Sequence, residues 1–167
     1  MPAQRVLSPA DSAETPVAVR AWTRLLRAQA LTARLLSAEL QREHGLSVNA
    51  YEALYLLDRA DGRRMKRVDL ARRLGLTPSG VTRLLEGLES AGLVERAACD
   101  ADLRVTYAQL TSEGAARLKD ASCGHVAAVC DLMESHLSES ELEGLAETLA
   151  KLPGVADGDD ACPAAAD

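Results

Sequence analysis

Between Val68 and Leu85 the chain stops one helix and starts another within a single short run: Val68-Asp69-Leu70-Ala71-Arg72-Arg73-Leu74-Gly75-Leu76-Thr77-Pro78-Ser79-Gly80-Val81-Thr82-Arg83-Leu84-Leu85. Asp69 to Leu74 reads as a short helix that begins near Val68. Gly75 ends it, because a glycine just past a helix adopts the left-handed conformation at little cost. Thr77-Pro78 opens the next helix. The threonine hydroxyl can cap a free first-turn amide, and proline suits the first helical position. Leu70, Leu74, Leu76, Val81 and Leu85 can form a small core between the two, and Ala71 is small enough for close contact. A chain with this punctuation is expected to make a helix-turn-helix.

The flanks predict a mainly α chain. Thr15-Pro16 starts a helix that runs to about His44, with Trp22, Leu25, Leu26, Leu36 and Leu40 at helical spacing and Gly45 as its terminator. Such a helix is about 42 Å long at the α-helical rise, too long for one small domain to cover, so a partner subunit is the expected cover. Ser47 caps a second helix to about Ala60, with Tyr51, Leu54, Leu57 and Tyr55 on its apolar side. Asp61-Gly62 is a turn, and Arg63-Arg64-Met65-Lys66-Arg67 reads as a basic cluster.

Pro78 to Ser90 is the second helix of the pair, with Val81, Leu84, Leu85 and Leu88 inward and Ser79, Thr82, Arg83 and Glu86 outward. Leu93–Ala98 and Arg104–Leu110 read as the strands of a hairpin, the second with Val105, Tyr107 and Gln109 on one face. Thr111 caps a helix over Ser112 to about Ser135, locally weakened at Gly124. Ser138 and Glu141 form a capping box before a last helix that ends near Leu152. The expected organisation is a flexible terminus (1–14), an N-terminal dimerisation helix (15–46), a winged helix-turn-helix (47–111), C-terminal helices (112–153) and an acidic disordered tail (154–167).

Composition agrees with helix. Hydrophobic residues are 47% of the chain but aromatics only 2%, with no Phe, so the core must be Leu, Ala and Val. No apolar stretch approaches the roughly 20 residues of a membrane span, and Met1–Leu7 lacks the apolar region of a signal peptide, which predicts a cytoplasmic protein. A net charge of -6 is unexpected for a partner of phosphate, but the charge is unevenly placed. Residues 59–104 hold ten basic and seven acidic groups, whereas residues 105–167 hold three basic and twelve acidic. Local field matters more than total charge in docking on a polyanion, so a basic face on an acidic body is permitted.

The outward residues of the second helix suit a groove about 12 Å wide. Ser79, Gly80, Thr82 and Arg83 are candidates for base or phosphate contact, together with Thr77 at the cap and Arg67 in the basic cluster. Pro78 and Gly80 leave the helix start uncluttered, so free amides there could hold a phosphate. The guanidinium of Arg83 can pair with guanine; a phosphate or Glu86 is its other available partner.

The blocks Asp69–Leu76, Thr77–Leu84, Leu88-Glu89, Gly92–Arg96, Asp102-Leu103-Arg104 and Leu110–Gly114, in this order and spacing, resemble the MarR family of bacterial regulators. The resemblance is close over residues 46–118. It implies a homodimer formed by the terminal helices, with Pro78–Ser90 in the major groove of each half of a palindromic operator in double-stranded DNA. It also implies that Arg104 reaches the minor groove or its backbone, oriented by Asp102. Family members usually repress transcription and release DNA when a small phenolic or anionic compound binds. The effector pocket that this implies lies between the dimer helices and the DNA-binding lobe. Arg20, Trp22, Arg24, His44, Tyr51 and Tyr55 could face it, with a dimer core as the other place for Trp22. One departure is the wing tip, Cys99-Asp100-Ala101-Asp102-Leu103, which carries carboxylates where many family wings carry extra arginines.

Two other readings compete. Cys123 and Cys130 are seven apart, hence on one helical face and about 10.5 Å apart along the axis, too far to bond to each other in one straight helix. Across a dimer either could meet a second cysteine, and Cys99 lies near the wing, so a thiol-based redox-sensing regulator is the first alternative. A winged-helix protein-interaction module without DNA binding is the second. The four cysteines, including Cys162, have no close ligand pair, and His44, His125 and His136 are scattered. Neither a metal site nor a catalytic centre nor a cofactor is expected.

Overall fold

The computed structural model describes residues 15–98 and 106–155. The chain divides into two compact units, residues 1–34 and residues 35–167, with the boundary inside the first helix. That helix, α1, spans Val17–His44. In the first unit it leaves Val17, Val19, Trp22, Leu26 and Leu31 exposed, Trp22 at 60%.

The second unit is built around leucine. Helix α2, Val48–Asp58, starts where the Ser47 hydroxyl accepts from the amide of Ala50 at 3.2 Å. It buries Ala50, Tyr51, Ala53, Leu54 and Leu57. A single 3-10 turn, Asp61–Arg63, leads into strand β1, Arg64–Lys66, and then helix α3, Arg67–Arg73. Helix α4 covers Pro78–Ser90, strand β2 Val94–Ala98 and strand β3 Thr106–Leu110. Helix α5, Ser112–Glu134, and helix α6, Glu139–Ala150, are the last elements among the described residues. No helix among the described residues is long and apolar enough to cross a membrane.

The strands form one antiparallel sheet in the order β1-β3-β2. Strand β1 was not expected; the sequence reads there as a basic cluster. Met65 pairs with Ala108 and packs on the core, while Arg64 and Lys66 on either side of it are exposed. Three residues of alternation are too few to distinguish a strand from a charged loop. Helix α2 also stops at Asp58 rather than near Ala60. The Asp58 carboxylate forms an ion pair with Arg63 across the turn, Oδ1 to Nε 3.0 Å, with Arg63 itself left-handed at φ 53°. In β3, Ala108 and Leu110 are the buried positions, so Tyr107 and Gln109 lie on the other face; Val105 lies outside the described residues. Gly124 does not interrupt α5, and the Ser138–Glu141 capping box is present.

The core gathers Leu40 of α1, Leu54 and Leu57 of α2, Leu70 of α3, Val81, Leu85 and Leu88 of α4, Val94 and Ala108 of the sheet, and Leu118 and Ala121 of α5. Leu54, Leu57, Leu70 and Leu85 are fully enclosed. Each such side chain contributes about 1.5–3 kcal/mol relative to exposure.

Glycine is required at position 75 by conformation and at position 114 by space. Gly75 has φ 62°, and the chain closes over it with Gly75 N donating to Arg72 O at 3.2 Å and Leu76 N to Ala71 O at 2.9 Å. This paired helix stop turns the chain from α3 into α4 without leaving those carbonyls bare. Gly114 needs glycine for space: a Cβ there would run into the main-chain carbonyl of Leu93, and would lie 2.7 Å from Leu110 Cδ1. Gly144, on α6, has nothing within 4 Å of the same position. Gly114→Ala is therefore expected to destabilise by about 2 kcal/mol or more through overpacking. Gly144→Ala should stabilise by up to about 1 kcal/mol, because it reduces the freedom of the unfolded chain without a clash. Urea unfolding of the two variants beside wild type checks both; equal stability at position 114 would mean that the close approach is not maintained in solution.

Candidate nucleic-acid interface

Helix α4 has two chemically distinct sides. Val81, Leu85 and Leu88 are buried, and Leu84 is half-buried, which fixes the roll of the helix. The opposite side presents Ser79, Arg83 and Glu86 to solvent, with Thr82 at its margin. The Thr77 hydroxyl accepts from the amide of Gly80 at 3.1 Å, and the Val81 amide donates to the Thr77 carbonyl at 3.0 Å. Thr82 donates its hydroxyl hydrogen to the Pro78 carbonyl at 2.8 Å, so what it offers outward is an acceptor.

These bonds narrow one expectation, that free amides at the start of α4 could hold a phosphate. Pro78 has none, the cap takes that of Gly80, and the amide of Ser79 is what the first turn leaves over. Gly80 is partly enclosed, and a Cβ there would stand 3.2 Å from Thr77 Oγ1 and 3.6 Å from Leu76 Cβ. Its lack of a side chain serves the fit of the cap as well as a clear approach.

Beside α4 runs a groove of about 350 Å³ lined by Arg67, Val68, Ala71, Arg72, Leu76, Pro78, Val81 and Thr82. The groove brings Arg67 and Thr82 together. Arg67 is half-buried, and among the described residues its Nη2 is enclosed without a hydrogen-bond partner. Val68 is 70% exposed at the rim. Arg72 pairs with Asp69 at 3.2 Å, and Arg73 is exposed. Cys99, Asp102 and Arg104 lie outside the described residues.

The residues that could face an effector fall in both units. Arg20, Trp22 and Arg24 are exposed on the part of α1 in the first unit. In the second unit, His44 and Tyr51 both border His125. His44, Gly124 and His125 line a water-sized recess with Leu36, Glu39, Leu40, Glu43 and Ala128. The Tyr51 ring stands 4.4 Å from that of His125, and its hydroxyl donates to Ser122 Oγ at 3.2 Å. His44 Nδ1 meets Asp120 at 3.1 Å, and the His44 carbonyl accepts from Arg117 at 2.9 Å. Tyr55 instead lies under Arg59, 5.5 Å from its guanidinium carbon. Cys123 and Cys130 are both exposed on α5.

Sequence reasoning missed Arg96. Its Nε donates to both carboxylate oxygens of Glu89, at 3.0 and 2.8 Å. Seven residues and a turn separate the two, so the contact depends on strand register that spacing alone does not reveal.

Fold and face together define a winged helix-turn-helix protein. A model of the MarR family matches residues 44–104. HTH-type transcriptional repressor YetL of Bacillus subtilis (strain 168) is 35% identical over 97 residues, and the match spans 58% of this chain and 58% of that protein, under two thirds of its length. HTH-type transcriptional regulator MhqR of the same organism is 32% identical over 110 residues, 66% of this chain and 74% of that one. The crystal structure of Sco3205, a MarR family transcriptional regulator from Streptomyces coelicolor, in complex with DNA, superposes with a TM-score of 0.73 at 29% identity, over 83% of this chain and 88% of that one. The chain belongs to the MarR family of transcriptional regulators.

Burial lowers the pKa of His125 below its ordinary value of 6.5, against a smaller opposing pull from Glu39. Among the described residues, Glu39, Glu43 and His44 of α1 and Tyr51 of α2 are titratable groups around it. The unfolded chain therefore takes up this proton first. The His125 contribution to stability is present above about pH 6.5 and is lost as pH falls through the depressed folded value. Unfolding free energies measured between neutral and mildly acid pH should fall more steeply for wild type than for His125→Gln; parallel curves would remove His125 from the account.

Proposed function

We propose that this protein is a homodimeric, sequence-specific DNA-binding regulator, a transcriptional repressor that leaves its operator when a small phenolic or anionic ligand binds. The observation that carries the reading is the outer side of α4. Ser79 and Arg83 stand exposed on a helix whose roll is fixed by Val81, Leu85 and Leu88. A helix presenting hydroxyl and guanidinium groups over an apolar anchor is suited to a major groove, where arginine can pair with guanine and hydroxyls can meet bases or phosphates. That a family member was crystallised with DNA, and that a relative is named a repressor, supports the same reading.

In this reading Ser79, Thr82 and Arg83 face the major groove, with Thr77 and Gly80 holding the helix start and Arg67 flanking it. Arg104, oriented by Asp102, serves the wing. The exposed apolar residues of α1, with Leu145 of α6, support burial against a second copy. The dimerisation regions are residues 15–46 and 112–153, and the DNA-binding domain is 47–111. The effector candidates are Arg20, Trp22 and Arg24 in the first unit and His44, Tyr51 and Tyr55 in the second. The protein acts in the cytoplasm.

The test is affinity for duplex DNA from the chain's own upstream region, against random duplex, at several salt concentrations. Arg83→Ala should weaken specific binding by about tenfold and relax sequence preference, as expected for loss of a base contact. Arg104→Ala should weaken specific and random binding together and reduce the salt slope by about one, as expected for loss of a phosphate contact. Unchanged affinity in either variant removes that residue from the interface. Wild type that binds its upstream DNA no better than random duplex would favour a protein-interaction module.

The exposure of both α5 cysteines favours one second reading, release by thiol oxidation. Peroxide-treated protein would then bind DNA more weakly than reduced protein, and Cys123→Ser/Cys130→Ser would abolish the difference. Equal affinity of the two forms excludes it.

A further inference from the structure

We propose that Glu89 and Arg96 are a positioning pair for DNA binding, an ion pair that fixes the angle between α4 and the strand leading into the wing. The inference rests on the reading of α4 as the DNA-contacting helix. Arg96 lies directly opposite the buried Ala108 in the sheet and so leaves β2 on the core-facing side. There its Nε–H is shared between both oxygens of Glu89, on the last turn of α4. Glu89 is the more enclosed partner, at 21% side-chain exposure against 54% for Arg96.

The chain between them is already held at the backbone. Gly92 N donates to Glu89 O at 3.0 Å and Leu93 N to Leu88 O at 2.9 Å, the paired stop also found at Gly75. Those bonds fix the turn, and pairing with β3 over Val94–Ala98 holds β2 in the sheet, but how α4 lies against that strand is left to side chains. The Glu89–Arg96 pair spans that gap. The shared carboxylate also neutralises Arg96 and holds its head at α4. This separates it from Arg83, whose side chain is exposed on the outer side of the helix. Two reading elements must meet DNA at a fixed mutual angle, and a small error in that angle costs contacts at both.

The roles of strut and phosphate contact give opposite results at Glu89. The full chain is used as wild type, Glu89→Ala, Arg96→Ala and the charge swap Glu89→Arg/Arg96→Glu, with upstream duplex and random duplex of equal length as probes. Thermal unfolding is recorded for each. The two single variants should each weaken specific binding by about fivefold, near 1 kcal/mol. They should do so with the salt slope unchanged and random-duplex affinity little altered, and the swap should recover most of the loss. Arg96→Ala alone weakening, with the salt slope down by about one and Glu89→Ala binding as well as wild type or better, makes Arg96 a phosphate contact and overturns the proposal. So does wild-type affinity in both single variants.

Should an alanine variant fold poorly, Glu89→Gln and Arg96→Lys replace it, read at a temperature where all proteins are folded. Weaker binding at unchanged unfolding temperature then supports positioning, and weakening that only follows lost stability overturns it. Wild type with no preference over random duplex overturns the DNA reading itself and this inference with it. Wild-type preference beside unaffected variants overturns this inference alone.

Discussion

The burial of Leu70, Val81 and Leu85 where α3 meets α4 is the contact on which the rest of the second unit depends. It sets the roll of α4, and the roll alone decides that Ser79 and Arg83 face water while Leu88 faces the core. Had the apolar residues fallen one position along, the same groups would be buried and the polar side lost. The stop at Gly75 and the cap at Thr77 are subordinate to this contact. They let two helices meet across a short turn.

The helix pair was legible in the sequence because its signals are local. A glycine in the left-handed region, a capping threonine and a proline each act within a few residues, so Gly75 and Thr77-Pro78 could be placed without knowing the fold. The capping box at Ser138 and Glu141 was legible for the same reason. What stayed hidden depends on contacts distant in sequence. Strand β1 exists because Met65 meets Ala108, far along the chain; without that partner, Arg64-Met65-Lys66 is only a charged segment. The Arg96–Glu89 contact needs the β2–β3 register before it can be seen.

The site was legible in part. The outward set on α4 follows from helical phase, so Ser79, Arg83 and Glu86 could be named from spacing. The hydrogen bonding at its start could not, because the claim of Thr77 on the Gly80 amide depends on the orientation of one hydroxyl. Nor could the enclosure of Arg67, which the sequence shows only as one of four cations in a run of five, whereas it lines a groove with Thr82. Charge on a sequence indicates supply; only packing decides which of it faces outward.

Gly114 joins the first turn of α5 to the turn that ends α4. Thr111 donates its hydroxyl hydrogen to the Gly92 carbonyl at 2.7 Å and its amide to the Leu93 carbonyl at 3.1 Å, and the bare Cα of Gly114 rests against that same Leu93 carbonyl. The obstacle to a larger residue is thus main chain, which every amino acid at position 93 would supply equally. No second change of side chain at that position could make room, so divergence at position 114 has no compensatory route there. The glycine is held by the polypeptide itself, whatever DNA sequence the surrounding surface comes to serve.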